Sequence, residues 1–317
     1  MQLTDISAAD LRSWCLRWLG SEPRTELFAS GHLSRVIGIR LADGRDVVVK
    51  IRPAEPRQAA CAAVHRHMWD AGFPCPQPLV GPVPFGGTGA ARGYAADAEA
   101  LLTGGAPFPA AADPAADAAR AAAFADLLAS FIRLAPDCAD VASLHPTPAW
   151  MNWHHGGDEV WPAPDDRDDD LNAHPETPWL DELGQGVRDR LAAAKTAPPV
   201  IGHCDWESHN LDFREGAPHA VHDWDSVVGE PETVIVGVAA AMWPAGAESA
   251  GATLDQTSAF LAAYQRSRGQ DFTPPETEQT WAAGLWIRSF NAKKYLLDGL
   301  ETLTRAEAAE RARRAGL

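Results

Sequence analysis

The period of the hydrophobic pattern changes about one third of the way along the chain, and that change limits the fold more than any other feature. Before residue 103 the runs ELFAS, VIGIRLA and DVVVKIR are short, rich in β-branched residues and split by turn signals, as strands are. The stretch Ala42, Asp43, Gly44, Arg45 reads as a hairpin turn, because Asp-Gly tolerates the positive φ such turns need. One amphipathic helix precedes these runs. Leu11, Trp14, Cys15, Trp18 and Leu19 share its face over 7–19, with Ser7 or Asp5 as cap and Gly20 as stop. A second helix is expected over 56–71, with Pro56 in its first turn and Gly72, Phe73 and Pro74 ending it. Pro76, Pro78, Pro82 and Pro84 then mark an irregular or edge-strand passage, and 92–103 supplies one more strand and a connector.

Past a linker at 103–113 the pattern is mostly helical. An Ala-rich helix over 114–135 buries Phe124, Leu127, Leu128 and Phe131, and a Trp-, Pro- and Asp-rich passage follows at 145–178. Further helices are expected near 179–195, 232–243, 253–268, 276–299 and 304–315. The expected class is α+β, with a small β-sheet lobe at 1–103 and a larger helical lobe at 104–317. A chain of 317 residues is long enough for both.

Charge narrows the ligands. With 43 acidic and 27 basic side chains the net charge is −16, which argues against a nucleic-acid backbone as main partner. Cationic or neutral small molecules remain, as do nucleotides whose charge a metal carries. Cys15, Cys61, Cys75, Cys138 and Cys204 are scattered and never spaced CxxC, as expected of reduced thiols. The opening MQLTDISAADLRSW has neither a basic start nor an apolar core, and no stretch suits a bilayer. A soluble cytoplasmic protein without a membrane partner is expected.

The chemistry concentrates in His203-Cys204-Asp205-Trp206-Glu207-Ser208-His209-Asn210, an H-x-D-x-x-x-x-N string, and in Val221-His222-Asp223-Trp224-Asp225. Apolar runs flank both. Two hairpin-like strands bring Asp205, Asn210 and Asp223 to one end of a structure. A carboxylate and an amide oxygen meeting there suit Mg²⁺, which keeps phosphate oxygens in its shell. A second carboxylate beside them can orient a hydroxyl and accept its proton, which is what phosphoryl transfer needs.

These strings resemble the catalytic loop and metal-binding Asp of the protein-kinase-like fold. Joined to x-D-W-D, they resemble the aminoglycoside phosphotransferase and choline kinase branch, which phosphorylates small molecules. The order of a β lobe ending a strand in Lys50, then a hinge, then a helical lobe extends the resemblance over nearly the whole chain. It implies Asp205 as catalytic base, Asn210 and Asp223 as metal ligands, and Lys50 on the phosphates of ATP or GTP with Mg²⁺. Ser30 and Gly31 would offer backbone amides to phosphate. Asp225 stands where the branch often has a second acid. An aminoglycoside, amino sugar or other amine-bearing alcohol is the implied acceptor.

The chain departs from that pattern after Lys50. The helix that should carry a Glu to hold the lysine reads Cys61-Ala62-Ala63, so Gln58 is expected to hold it, ahead of Glu55. Glu230 and Glu232 are the nearest candidates for a brace on the catalytic loop or a substrate contact. Trp153 and Trp206 are candidates for stacking on a sugar or an amine. The DDRDDD run at 165–170 would favour a polycationic acceptor if it faced the cleft. Two other readings exist. A nucleotide-binding pseudokinase is favoured by the missing helix Glu and opposed by the joint presence of Asp205, Asn210 and Asp223. A metal hydrolase could use His203, Cys204, Asp205, His209, His222 and Asp223, but no HxxxH or HxxEH spacing occurs.

Overall fold

The computed structural model describes residues 6–31, 33–86, 93–109, 113–135, 139–174, 176–194, 197–246 and 250–317. Asp5, His32 and Cys138, and parts of the expected strand at 92–103 and linker at 103–113, lie outside these residues.

Helix α1 (Ala8–Trp18) starts at Ser7, whose hydroxyl accepts the Asp10 amide at 3.1 Å. Strands β1 (Pro23–Ser30), β2 (Arg35–Leu41) and β3 (Asp46–Pro53) lead to α2 (Gln58–Asp70), and β4 (Pro78–Phe85) and β5 (Tyr94–Ala100) complete an antiparallel sheet of order β1-β2-β3-β5-β4. The proline-rich passage is therefore a strand, and it takes the edge where a missing N–H costs no ladder bond. Alternation along β3 divides its side chains. Val47, Val49 and Ile51 pack with Trp14 and Cys15 of α1, while Val48, Lys50 and Arg52 take the other face.

The chain then passes through the two-residue β6 (Ala106–Pro107), which pairs with β8 (Leu211–Arg214), so the connector is fastened to the larger part. Helices α3 (Pro114–Leu134) and α4 (Pro178–Ala193) precede β7 (Pro199–His203), the hairpin of β8 with β9 (Ala217–Val221), and β10 (Val227–Pro231). Then come α5 (Glu232–Met242), α6 (Leu254–Arg268), α7 (Pro274–Leu296) and α8 (Arg305–Arg314). The core of this part is one cluster that includes Phe124, Phe131, Trp206, Trp243, Trp286 and Phe290. α5 and α7 touch backbone to backbone where a Cβ on Gly237 would lie 2.2 Å from the Thr280 carbonyl oxygen, a spacing only glycine allows. The architecture is the α+β, kinase-like arrangement of two lobes.

Candidate active site

Strand pairing brings the two strings together. β7 ends at His203, which is paired with Val227 at the start of β10, so the chain leaves and re-enters this pair at one place. His203 is fully buried, and burial lowers its pKa and keeps the ring neutral. Its Nε2–H donates to the carbonyls of His222 and Asp223, each at 3.0 Å. Those bonds hold the backbone of Asp223, whose φ of +60° is uncommon for a residue other than glycine. The Cys204 amide donates to the Ser226 carbonyl at 3.0 Å and ties the two strings a second time.

Asn210 donates its amide to Oδ2 of Asp205 at 2.7 Å and to the Asp205 carbonyl at 3.0 Å. The donor end of the amide is thus engaged, and its oxygen is the end left for a cation. Asp223 accepts the Ser226 hydroxyl at 2.6 Å. Burial, then Asp225 and Asp205, push the Asp223 carboxyl well above the usual range. A buried carboxylate with acids around it, and an amide whose oxygen is left unengaged by those bonds, are donors of the kind that Mg²⁺ takes. Among the described residues no group of three or more His, Cys, Asp and Glu is arranged to hold a metal by itself.

Lys50 lies on the face of β3 away from α1 and lines a smaller cavity that shares Arg52 and Asp225 with the main cleft, with Nζ 3.3 Å from Glu99 of β5. Burial works against its charge, but Glu99, Asp97, Asp225 and Asp223 outweigh burial and raise its pKa. The expected partner is corrected here. Gln58 donates its amide to the Pro53 carbonyl at 2.6 Å, and Glu55 lines the larger cleft. Arg52, two positions after Lys50, gives one nitrogen to Asp97 at 2.8 Å and another to Asp225 at 3.3 Å. Arg52 and Lys50 offset burial and hold Asp225 below the usual carboxylate range. Ser30 pairs with Val36, which pairs with Lys50, so the loop after β1 begins two strands from the lysine. Gly31 turns that loop at φ +117°, where a Cβ would fall 1.9 Å from the Ser34 carbonyl oxygen.

The cleft encloses about 900 Å³, and its lining includes Ser34, Arg52, Asp165, Asp205, Glu207, Asp223, Asp225, Lys294 and Tyr295.

The family model described as the phosphotransferase enzyme family matches residues 24–231, about two thirds of the chain. The chain belongs to this family. This phosphotransferase also resembles solved structures over nearly all of its length. An amicoumacin kinase superposes with a TM-score of 0.61 at 11% identity, over 93% of this chain and 88% of the other. For a spectinomycin phosphotransferase the values are 0.57, 11%, 98% and 94%. For a fructosamine-3-kinase-like protein from Thermobifida fusca they are 0.56, 15%, 96% and 99%. Comparison with curated proteins gives no sequence match.

Four of the residues expected to touch substrate in this phosphotransferase do structural work. Trp206 is fully buried and donates Nε1–H to the Phe124 carbonyl at 3.0 Å. Trp153 is buried and packs its ring against His154. Glu230 accepts the Thr147 hydroxyl at 2.8 Å, and Glu232 accepts the Tyr264 hydroxyl at 2.6 Å and meets Arg268 at 3.0 Å. Neither glutamate braces the catalytic loop. That brace is Ser208, whose hydroxyl and amide both donate to the Ala245 carbonyl, at 2.6 and 3.1 Å.

Several site residues escaped the sequence reading. Glu99 and Asp97 were visible as alternate acids in YAADAEA, which a strand places on one face. Arg52 shares the face of Lys50 by the same rule. Arg57 gives its guanidinium to the carbonyls of Asp225 and Val227, both at 2.5 Å, and of Leu144 at 3.2 Å. It pins α2 to the segment after Asp223, and nothing local in the sequence announces such a contact. Glu207 lay inside the string itself. Burial and the nearby Asp205 push its carboxyl well above the usual range, against the pull of Lys294.

Proposed function

We propose that this phosphotransferase moves the γ-phosphoryl group of ATP, with Mg²⁺, onto a hydroxyl of a small amine-bearing molecule. The observation that carries the reading is Asp205, which opens into the cleft while fixed by Asn210 and flanked by Asp223. Asp205 would accept the proton of the acceptor hydroxyl as its oxygen forms a bond to the γ-phosphorus. The bond to the bridging oxygen breaks and ADP leaves with the electron pair. Asn210 and Asp223 would hold the metal, which offsets charge on the phosphates when bound. Lys50 would contact the α- and β-phosphates, with Ser30 and Gly31 approaching from the loop above and Asp225 beside the metal. Residues 1–103 would serve as the nucleotide lobe and 104–317 as the catalytic and acceptor lobe.

Support for an adenine nucleotide comes from similar structures. The amicoumacin kinase is in complex with AMP-PNP and Ca²⁺, and the spectinomycin phosphotransferase with ADP and spectinomycin. GTP is the alternative donor. Support for an amine-bearing acceptor is the acidic lining. Asp165 and Asp166 of the DDRDDD run and Glu207 all line the cleft, where Asp166 pairs with Lys294 at 2.8 Å and Glu207 lies 3.5 Å from His209. Tyr295 also lines the cleft, with the Lys294 ammonium 5.3 Å from its ring centroid. Among the described residues no helix is long and apolar enough to cross a membrane, and Cys15, Cys61, Cys75 and Cys204 are free. A cytoplasmic setting fits those thiols.

An ATP-consumption screen over amine-bearing alcohols and antibiotics tests the reading, with Asp205→Asn as the blank. Turnover is expected with at least one acceptor and should fall about 10²–10⁴-fold in the variant. Equal consumption by both proteins would overturn it.

A further inference from the structure

The face of the small sheet turned toward α2 carries a set of opposed charges. Alternation puts Lys50 and Arg52 on that face of β3, and Asp97 and Glu99 on the same face of β5, with Lys50 paired to Asp97 and Val48 to Glu99 in the register. Lys50 Nζ lies 3.3 Å from Oε1 and 3.3 Å from Oε2 of Glu99, and the two side chains are only 12% and 6% exposed. Asp97 is taken by Arg52 at 2.8 Å, so Glu99 is the acid committed to the lysine. Across from them α2 presents Ala59, Ala62 and Ala63, separated by a cavity of about 330 Å³. No side chain of those three can reach the ammonium with a charge.

We propose that Glu99 is the positioning residue for Lys50, performing from β5 the orienting task that an acid on the following helix would otherwise perform. The inference rests on the kinase reading above. An ammonium has three donors, and the hydrogen bond to Oε2 of Glu99 leaves donors for phosphate. At 3.3 Å the contacts to Glu99 are longer than the 2.7–2.9 Å typical of tight charge-assisted bonds. Lys50 therefore keeps its direction while remaining free to be drawn onto a phosphate oxygen. Because donor and acceptor sit on neighbouring strands of one sheet, a shift of α2 does not break the pair.

The test compares wild type, Glu99→Gln, Glu99→Asp, Gln58→Ala and the double variant Glu99→Gln/Ala62→Glu. Each is read by MgATP titration and by KM for ATP and for the acceptor. Glu99→Gln should lower kcat/KM for ATP and weaken MgATP binding by about 10- to 100-fold, as loss of an orienting partner does, with the acceptor KM unchanged. Ala62→Glu places an acid on the helix wall of the cavity and should restore part of the loss. Gln58→Ala should match wild type. If Glu99→Gln does not fold, Glu99→Asp carries the test, since its shorter acid should raise KM for ATP alone. Unchanged ATP parameters in the Glu99 variants, or a loss that falls on the acceptor KM, would overturn the inference. A wild type that binds no MgATP would instead overturn the kinase reading, so the two failures are distinguishable.

Discussion

Asn210 and Asp205 are joined by two hydrogen bonds from a single amide nitrogen, at 2.7 Å to the carboxylate and 3.0 Å to the carbonyl. The proposed base and the proposed metal-side amide are therefore one unit. Asn210→Ala removes the proposed cation ligand and frees the Asp205 carboxylate in the same step. Turnover should drop by more than about 10²-fold, and the Mg²⁺ concentration giving half-maximal rate should rise. Activity measured across a Mg²⁺ series checks this. A loss of rate with an unshifted Mg²⁺ dependence would separate the two roles and contradict their coupling.

What the sequence revealed and what it hid divide along a physical line. Helix faces, turn residues and the two strings are local patterns. Helices expected over 253–268 and 304–315 occur at Leu254–Arg268 and Arg305–Arg314. Asp205, Asn210 and Asp223 were readable because one strand pair and one hairpin fix their spacing. The partner of Lys50 was not, because it depends on which strand lies beside β3. β4 precedes β5 in sequence, yet β5 is the neighbour of β3. Trp153 and Trp206 were misplaced for a related reason. Their position next to site residues says nothing about which way the rings turn, and both turn into the core.

Trp206 gives a stability prediction that also separates core from site. Its Nε1–H is the donor to the Phe124 carbonyl, and both groups are buried. Trp206→Phe keeps an aromatic ring but removes a buried hydrogen bond to a helical carbonyl and leaves a gap, at a cost of about 1–3 kcal/mol. Denaturant unfolding should show the loss, while KM for the acceptor stays near wild type. A large change in acceptor KM without a stability loss would return Trp206 to the substrate pocket.

His65 gives a pH prediction. It stacks on Trp224 with centroids 4.3 Å apart and donates Nε2–H to the Pro76 carbonyl at 2.8 Å. Burial lowers its pKa to about 4, with Lys50 acting the same way against the pull of Glu99. The unfolded chain takes up a proton near the ordinary value of about 6.5 while the native ring stays neutral. Stability should therefore fall as pH drops from about 6.5 toward 4, by up to roughly 3 kcal/mol from this residue. His65→Phe keeps the stack and removes the titration. Its urea midpoint will be lower at pH 7.5, but it should fall less steeply toward pH 5 than the wild-type midpoint. Parallel slopes would contradict the assignment.

Glu207 bears on the acceptor. It lies two residues after Asp205, its side chain is 18% exposed, and its nearest charged partner among the described ion pairs is His209 at 3.5 Å. Burial and then Asp205 hold its carboxyl above the usual range, so in the empty cleft it gives up its proton late. An ammonium group on the acceptor would reverse that balance by pairing with the carboxylate. Affinity for an amine-bearing acceptor should accordingly strengthen as pH rises through the raised pKa of Glu207 and weaken as pH falls through it. Glu207→Gln should raise the acceptor KM about tenfold and flatten its pH dependence, while KM for ATP is unchanged. An acceptor analogue with a hydroxyl in place of the amine should respond little to the substitution. Equal sensitivity of both analogues would show that Glu207 does not read the charge, and steady-state kinetics with the matched pair decides it.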